Sequence, residues 1–197
     1  MSLENYSQSL LRYSVLGFSL DLSLMALTPE FRSGMSAQVT DAYSDMKALE
    51  AGENANPDEG RMVGHYWLRN PALAPNDELR AEITEPLAQL KSFAAKVHSG
   101  DIKAPGGAYF QNLLIIGIGG SALGPQFIEE ALGSASPVET YFFDNTDPSG
   151  MDRTLERIGT GLDRTLALVI SKSGGTAETR NGMLEAKAAY ELSLIHI

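Results

Sequence analysis

Apolar residues recur along the chain with two different periods, and the change falls near residue 110. Residues 1–110 contain helix-period patterns and few strand-like runs, whereas residues 111–190 alternate apolar runs with amphipathic segments. Buried strands that alternate with amphipathic helices are typical of a parallel α/β unit. We therefore expect a mainly helical N-terminal region, residues 1–110, followed by an α/β domain, residues 111–190.

Three helices are predicted in the first region. Residues 29–50 are moderately amphipathic, and a short helix around Trp67 follows a polar loop at 53–60. The clearest helix covers about residues 77–98, because its apolar side chains share one face of a 3.6-residue period; they are Ile83, Leu87, Leu90 and Val97. Residues 1–28 show no clear period, and we expect them to wrap around the rest.

Three apolar runs in the second region predict strands, at residues 112–117, 138–143 and 165–170. Each run precedes a segment with helical period, and these helices are expected at about residues 122–132, 149–158 and 177–190. On the first of them, the apolar residues are expected to face inward: Leu123, Phe127, Ala131 and Leu132. Right-handed crossovers in this β-α-β-α-β-α order place all strand-to-helix loops at one edge of the sheet.

The loop after the first strand, residues 117–124, is rich in glycine. Glycines let the chain turn sharply and let the backbone approach a ligand. The free N–H groups of the next helical turn, at the positive end of the helix dipole, suit a phosphate. A tight turn without any ligand is the simpler alternative.

The same loop also fits a dinucleotide-binding pattern. Gly117, Gly119 and Ala122 satisfy G-x-G-x-x-G/A, and Asp144 ends the second strand, where a ribose-binding acid would lie. A nicotinamide-dependent oxidoreductase therefore remains an alternative. This hypothesis gives no role to the second glycine-bearing loop.

That second loop, residues 171–176, concentrates hydroxyl groups between a strand and a helix. Ser171, Ser173 and Thr176 can donate hydrogen bonds to phosphate oxygens, and Lys172 can add a point charge. The alternative is that Ser173 or Thr176 only caps the following helix. Neither glycine loop ends in Gly-Lys-Ser/Thr, so the sequence does not predict a P-loop that hydrolyses nucleoside triphosphates.

Motifs in four segments carry a family resemblance. Three of them are GIGGSALGP at 117–125, FFDNTDPSG at 142–150 and ISKSGGTAET at 170–179. They resemble, in this order, the first substrate loop, the segment after the next strand and the phosphate-binding loop of the glucose-6-phosphate isomerase family. The last is close to the Ser-x-Ser-Gly-x-Thr pattern of sugar-isomerase (SIS) domains. A fourth similar stretch lies at 59–70, and the resemblance spans about residues 53–190.

The resemblance implies a flavodoxin-like, SIS-type α/β unit with a parallel sheet. It also implies the reversible conversion of glucose 6-phosphate to fructose 6-phosphate, in glycolysis and gluconeogenesis, without a metal or organic cofactor. The phosphate-binding residues that it implies are Ser171, Ser173 and Thr176, with Lys172 nearby, and the residues lining the substrate site are Gly120 and Ser121. The chain departs from the family at Gly174 and Gly175, where many isomerases have bulkier residues, which leaves a non-catalytic sugar-phosphate sensor as an alternative.

The resemblance does not identify which residues of this chain, if any, transfer protons. Aldose–ketose isomerisation needs a base and ring-opening acid–base groups, and in the family these lie beyond the matched region. We expect structural roles for His65 and His98, and helix-start stabilisation for Glu178. Residues 191–197 follow a helix abruptly and do not resemble the family. We therefore expect a truncated chain with a non-native tail and no isomerase activity by itself.

The amino-acid composition limits the kinds of molecule that the chain is expected to bind. The net charge of −10 argues against nucleic acid, although a local pocket can still hold a small phosphorylated ligand. The absence of cysteine excludes disulfides and thiolate metal sites, and no apolar run is long enough for a membrane span. We expect a sugar phosphate as partner, no nucleic acid, no membrane, no metal and a cytoplasmic location, with a homodimer as a possible assembly.

Overall fold

The computed structural model describes residues 3–25 and 27–194. Its backbone forms two compact units, Met1–Leu87 and Ala88–Ile197. The boundary falls inside one helix, Asp77–Ser99. Ile195, His196 and Ile197, the end of the expected tail, lie outside the described residues.

The first unit combines helices with a β-hairpin. In chain order its elements are α1 (Leu3–Ser9), β1 (Leu10–Tyr13), β2 (Phe18–Asp21), α2 (Pro29–Glu50), α3 (His65–Arg69) and the start of α4 (Asp77–Ser99). The three predicted helices are confirmed as α2, α3 and α4. The sequence does not predict the antiparallel β1–β2 hairpin, because its strands are four residues long and lack a regular alternation.

Trp67 is the buried centre of this unit, with 3% of its surface exposed. Its indole Nε1 donates a hydrogen bond to the carbonyl oxygen of Glu50 at 2.9 Å, which joins α3 to the end of α2. The ring also lies against Gly64, where an added Cβ would be 2.8 Å from the indole. A buried indole that satisfies its N–H in this way can hold two short elements together.

The second unit is an α/β fold that matches the predicted element order. It contains the end of α4, then β3 (Asn112–Ile116), α5 (Gly120–Leu132), β4 (Glu139–Phe143), α6 (Pro148–Ile158), β5 (Thr165–Val169) and α7 (Ala177–Leu194). The three strands form a parallel sheet in the order β4-β3-β5. The α/β class with a parallel sheet is therefore confirmed, although α5 begins two residues earlier and α7 ends four residues later than expected.

The main core lies on one face of this sheet. Leu114 and Ile116 of β3 are 0% and 1% exposed, and they pack with β4, α6 and α7 through Tyr141, Phe143, Met151, Ile158 and Ala186. Burial of such side chains stabilises a fold by roughly 1.5–3 kcal/mol each. α7 comes especially close at Gly182, where an added Cβ would lie 2.9 Å from Ile116 Cγ2.

Hydrogen bonds join the amino-terminal ends of β3 and β5 to α7 and to the segment before β5. Tyr190 Oη on α7 donates to the carbonyl oxygen of Thr165 at 2.8 Å. Asn112 Nδ2 donates to Gly161 O and to Thr165 Oγ1, both at 3.2 Å. Burial raises the pKa of Tyr190 from 10.0 to about 12, because the charged phenolate is poorly solvated there.

The expectation that the apolar residues of α5 face inward is wrong. Leu123, Phe127 and Leu132 are 66%, 71% and 68% exposed, and Ala131 is exposed as well. The only fully buried residue of α5 is Ala122. The apolar side of this helix therefore points away from the sheet, and Glu129 on another side accepts a hydrogen bond from Thr140 of β4.

Replacing Tyr190 with phenylalanine tests how α7 is fixed to the sheet. Loss of the hydrogen bond to Thr165 should lower the free energy of unfolding near pH 7 by about 1 kcal/mol. The folded-state pKa of Tyr190 is raised, so its contribution to stability is present below pH 10 and is lost as the pH rises toward about 12. Urea unfolding and ultraviolet titration of the phenols measure the two effects.

The matched control is Tyr43→Phe, which removes a phenol that is 69% exposed. It should leave stability unchanged and should keep the phenol that titrates near pH 12. Burial also raises the pKa of Tyr141, so the readout is the number of late-titrating phenols. A Tyr190→Phe protein with as many of them as the unsubstituted chain would contradict the packing of α7.

Candidate functional site

The two glycine-bearing loops leave the sheet next to each other. The last residues of the three strands are paired, Ile116 with Phe143 on one side and with Val169 on the other. The pairing continues into the loops, since Gly117 N donates to Phe143 O at 3.0 Å and Ile170 N donates to Ile116 O at 2.9 Å. Both loops therefore begin at the same carboxyl-terminal edge, where α/β folds commonly bind ligands.

The first loop presents free backbone donors at the start of α5. Gly119 precedes the helix with φ +56° and ψ −124°, a combination that residues with a Cβ rarely adopt. Its carbonyl accepts from Ala122 N and Leu123 N at 3.0 and 2.8 Å. Within residues 3–25 and 27–194, the N–H groups of Gly119 and Gly120 meet no protein acceptor. These donors and the helix dipole favour an anion.

The predicted substrate-lining residues, Gly120 and Ser121, are the first two residues of α5. Gly120 is exposed and Ser121 is partly buried. Ser121 N donates to Ile118 O at 3.1 Å, so its amide is already used inside the loop. Its hydroxyl is the polar group that this residue offers to a ligand.

In the second loop, the hydroxyl groups of Ser171 and Ser173 both lie close to the hydroxyl group of Thr176. Thr176 Oγ1 lies 3.3 Å from Ser171 Oγ and 3.5 Å from Ser173 Oγ. Backbone amides fix both serines, because Gly174 N donates to Ser171 Oγ at 3.0 Å and Gly175 N donates to Ser173 Oγ at 3.2 Å. The chain thus brings together the three hydroxyls that the sequence singles out.

Lys172 does not join this cluster. Its side chain is exposed and forms no ion pair in the described part of the chain. The fixed part of the loop therefore consists of hydroxyl and amide groups, and the lysine can only add a mobile positive charge. In the same described part, no first-turn amide of α7 donates to Ser173 or Thr176, which does not support simple helix capping.

Asp144, directly after β4, contacts a residue of α5 that the sequence analysis does not single out. Gln126 Nε2 of α5 donates to Asp144 Oδ2 at 2.6 Å. Asp144 also lines a polar cavity of about 370 Å³ together with Asp147, Arg153 and other residues of the β4–α6 segment. The spacing of Ala122, Gln126 and Glu129 by four and three residues is the signal that could have found this polar face.

Structural roles are expected for His65 and His98, and stabilisation of a helix start is expected for Glu178. His65 is exposed on α3 of the first unit. His98, near the end of α4, lines a mainly apolar groove of about 420 Å³ with Phe93 and Val97. Glu178 lies in the first turn of α7, where a carboxylate stabilises the helix start.

The described residues show neither a metal-ligand cluster nor a membrane-spanning helix. They contain no group of three or more His, Cys, Asp or Glu side chains that could hold a metal ion. Within the same residues, no helix is long and apolar enough to cross a membrane.

Comparison with known proteins gives one consistent family. The family model described as phosphoglucose isomerase matches residues 31–196. The chain is 57% identical over 189 residues to the glucose-6-phosphate isomerase of Rippkaea orientalis, covering 95% of this chain and 36% of that protein. It is 54% identical over 194 residues to the glucose-6-phosphate isomerase of Geobacter sp. strain M21, covering 98% of this chain and 37% of that protein.

A solved structure shares the fold. It is a crystal structure of a hypothetical protein from Thermus thermophilus, with a TM-score of 0.57, 26% identity, and coverage of 85% of this chain and 33% of that one. The chain thus spans little more than a third of the length of the curated relatives it matches.

Replacing Gly119 with alanine tests the geometry of the first loop. The φ of +56° strains any residue with a Cβ, so the free energy of unfolding should fall by about 1–3 kcal/mol. Gly120→Ala is the matched control, because an added Cβ there has open space and lies at a helical position. It should leave stability unchanged or raise it slightly in urea unfolding. Equal effects of the two substitutions would contradict this loop conformation.

Proposed function

Because the chain belongs to the phosphoglucose isomerase family, we propose that it carries the sugar-phosphate-binding part of a glucose-6-phosphate isomerase. The reaction of the whole protein would be the reversible conversion of glucose 6-phosphate to fructose 6-phosphate, in glycolysis and gluconeogenesis. The observation that carries this proposal is the convergence of the hydroxyls of Ser171, Ser173 and Thr176 in the loop after β5, the strand paired with β3.

The phosphate would be held mainly by uncharged donors. Hydroxyl groups of the second loop and the free amides of Gly119 and Gly120 would hydrogen-bond its oxygens, and Ser121 would contribute from the first turn of α5. Such donors bind an anion without a fixed cation, and Lys172 would add attraction from the solvent side. This arrangement suits a protein of net charge −10, because the anion is attracted locally.

We assign the binding of the phosphate to this chain and the proton transfers to other parts of the family's polypeptide. Isomerisation needs a general base close to two neighbouring carbons of the sugar. Neither loop contains a histidine, and Glu178 occupies a position that suits the start of α7. The 197-residue chain by itself would therefore bind the sugar phosphate without converting it.

Several further expectations belong to this proposal. Residues 111–190 would form the SIS-type domain after a helical region of residues 1–110. The protein would act in the cytoplasm without a cofactor, and a homodimer would be a possible assembly.

A sugar-phosphate sensor is the second candidate. The pair Gly174 and Gly175 departs from the bulkier residues expected in the family, and Gly174 adopts a φ of +71°. A sensor would bind the same ligand through the same loop but would not turn it over in any full-length form. The dinucleotide hypothesis is less favoured, because the family match accounts for both loops.

Thermal melting with ligands tests the binding proposal. A ligand at 100 times its dissociation constant stabilises the native state by about 2.7 kcal/mol. Glucose 6-phosphate should therefore raise the melting temperature, whereas glucose and NAD should not. The Ser171→Ala, Ser173→Ala and Thr176→Ala substitutions should each weaken binding about tenfold, since each removes a hydrogen bond to a charged group.

The matched control is Ser134→Ala, which removes an exposed hydroxyl from the turn Gly133–Ala135, at the end of α5 that is far from the first loop. It should leave the glucose 6-phosphate shift unchanged. Unchanged affinity in all three loop variants would refute the assignment of the second loop, and a shift with NAD alone would favour the dinucleotide alternative.

A coupled enzyme assay tests whether this chain binds the sugar phosphate without converting it. The purified 197-residue chain should give no detectable fructose 6-phosphate, while the full-length Rippkaea orientalis isomerase serves as the active reference. Measurable conversion by the 197-residue chain would show that it contains the catalytic base.

A further inference from the structure

Helix α5 exposes an apolar surface, which we call the outer face of α5. It consists of two adjoining rows of residues spaced by four positions: Gly120, Gly124, Ile128 and Leu132 in one row, and Leu123, Phe127 and Ala131 in the other. The four large side chains of these rows are 55–71% exposed. A helix at the surface of a soluble domain normally places polar residues outward, so the orientation of α5 is the reverse of the usual one.

Polar contacts fix this reversed orientation. Gln126 donates to Asp144 at 2.6 Å, and Thr140 Oγ1 donates to Glu129 Oε2 at 3.0 Å. One turn before Gln126, Ala122 is buried, with 2% of its surface exposed. Rotating α5 to bury Phe127 would break both hydrogen bonds and expose Ala122. The outer face is therefore a stable feature of the second unit.

The chemistry of the outer face limits what can cover it. None of its residues carries a charge, in a chain of net charge −10, which argues against a charged ligand. An added Cβ at Gly120 or Gly124 would meet no atom within 4 Å. A partner backbone can therefore approach closely along one row, while Leu123 and Phe127 pack beside it. Contiguous exposed apolar surface of this kind marks a protein interface.

The greater length of the related isomerases indicates what covers the outer face of α5. The chain aligns over 95% of its own length but covers only 36% of the Rippkaea orientalis isomerase, at 57% identity. Most of the family's polypeptide is therefore absent from the structure, and a polypeptide of that length has apolar surface of its own to bury. The outer face also begins at Gly120, next to the first loop, so a segment docked there would lie beside the carboxyl-terminal edge of the sheet.

We propose that the outer face of α5 is the docking surface for the part of the isomerase polypeptide that lies outside the third represented by this chain. The proposal rests on the family membership and on the exposed face, and it does not depend on sugar-phosphate binding. Its occupant is an apolar surface of that remaining polypeptide, which packs over Phe127 and along the glycine row.

Thiol labelling tests the proposal directly, because the chain contains no cysteine. Phe127→Cys and Ala131→Cys report on the outer face, and Glu156→Cys on α6 is an exposed control. Each is made in the 197-residue chain and in a full-length chimera, in which this chain replaces the aligned region of a Rippkaea orientalis isomerase whose own cysteines are changed to serine. Labelling by a maleimide is then followed over time.

We expect all three thiols to react rapidly in the 197-residue chain. In the chimera, Phe127→Cys and Ala131→Cys should react at least about tenfold more slowly, because burial limits access to the reagent, while Glu156→Cys should be unaffected. Equal rates in both proteins would overturn the proposal. Slow reaction already in the 197-residue chain, together with a dimer by sedimentation that Phe127→Glu dissociates, would assign the face to a second copy instead.

Co-expression decides the question if the chimera does not fold. The tagged 197-residue chain is produced together with the remaining part of the Rippkaea orientalis isomerase. We expect the two to co-purify, and Phe127→Glu to abolish this while leaving the circular dichroism of the chain unchanged. Absence of co-purification, or co-purification that Phe127→Glu leaves intact, would contradict the proposal.

Discussion

The parallel register of β3 with its two neighbours is the constraint on which the candidate site depends. Because Ile116, Phe143 and Val169 are paired at the ends of their strands, three loops leave the sheet at one edge. The register is held on one face by the buried pair Leu114 and Ile116. A slip by one residue would move both side chains to the opposite face and would separate the two glycine-bearing loops.

The candidate site at this edge depends on the orientation of its hydrogen-bond donors more than on charged side chains. The amides of Gly119 and Gly120 are free because a helix starts there, and the hydroxyls of Ser171 and Thr176 converge because loop amides fix the serines. Donors arranged in this way lose little conformational entropy when they bind an anion. Folding of the chain therefore positions most of these donors before a ligand binds.

Much of the fold could be predicted from local sequence. Apolar runs of five or six residues marked β3, β4 and β5, and glycines followed by a helical period marked the first loop, since both signals depend on neighbouring residues. The orientation of α5 could not be predicted in this way. The pattern places Phe127 on the apolar side of the helix, but only the structure shows that Gln126 and Asp144 turn the other side toward the sheet. The hairpin β1–β2 was missed because four-residue strands give too short a pattern.

We propose that both loops bind the same phosphate group. Backbone amide NMR of the ¹⁵N-labelled 197-residue chain, titrated with glucose 6-phosphate, measures this most directly, because each amide reports on its own surroundings. We expect the signals of Gly119 and Gly120 and those of residues 173–176 to shift together, with one dissociation constant. Shifts confined to one loop, or to neither, would contradict it.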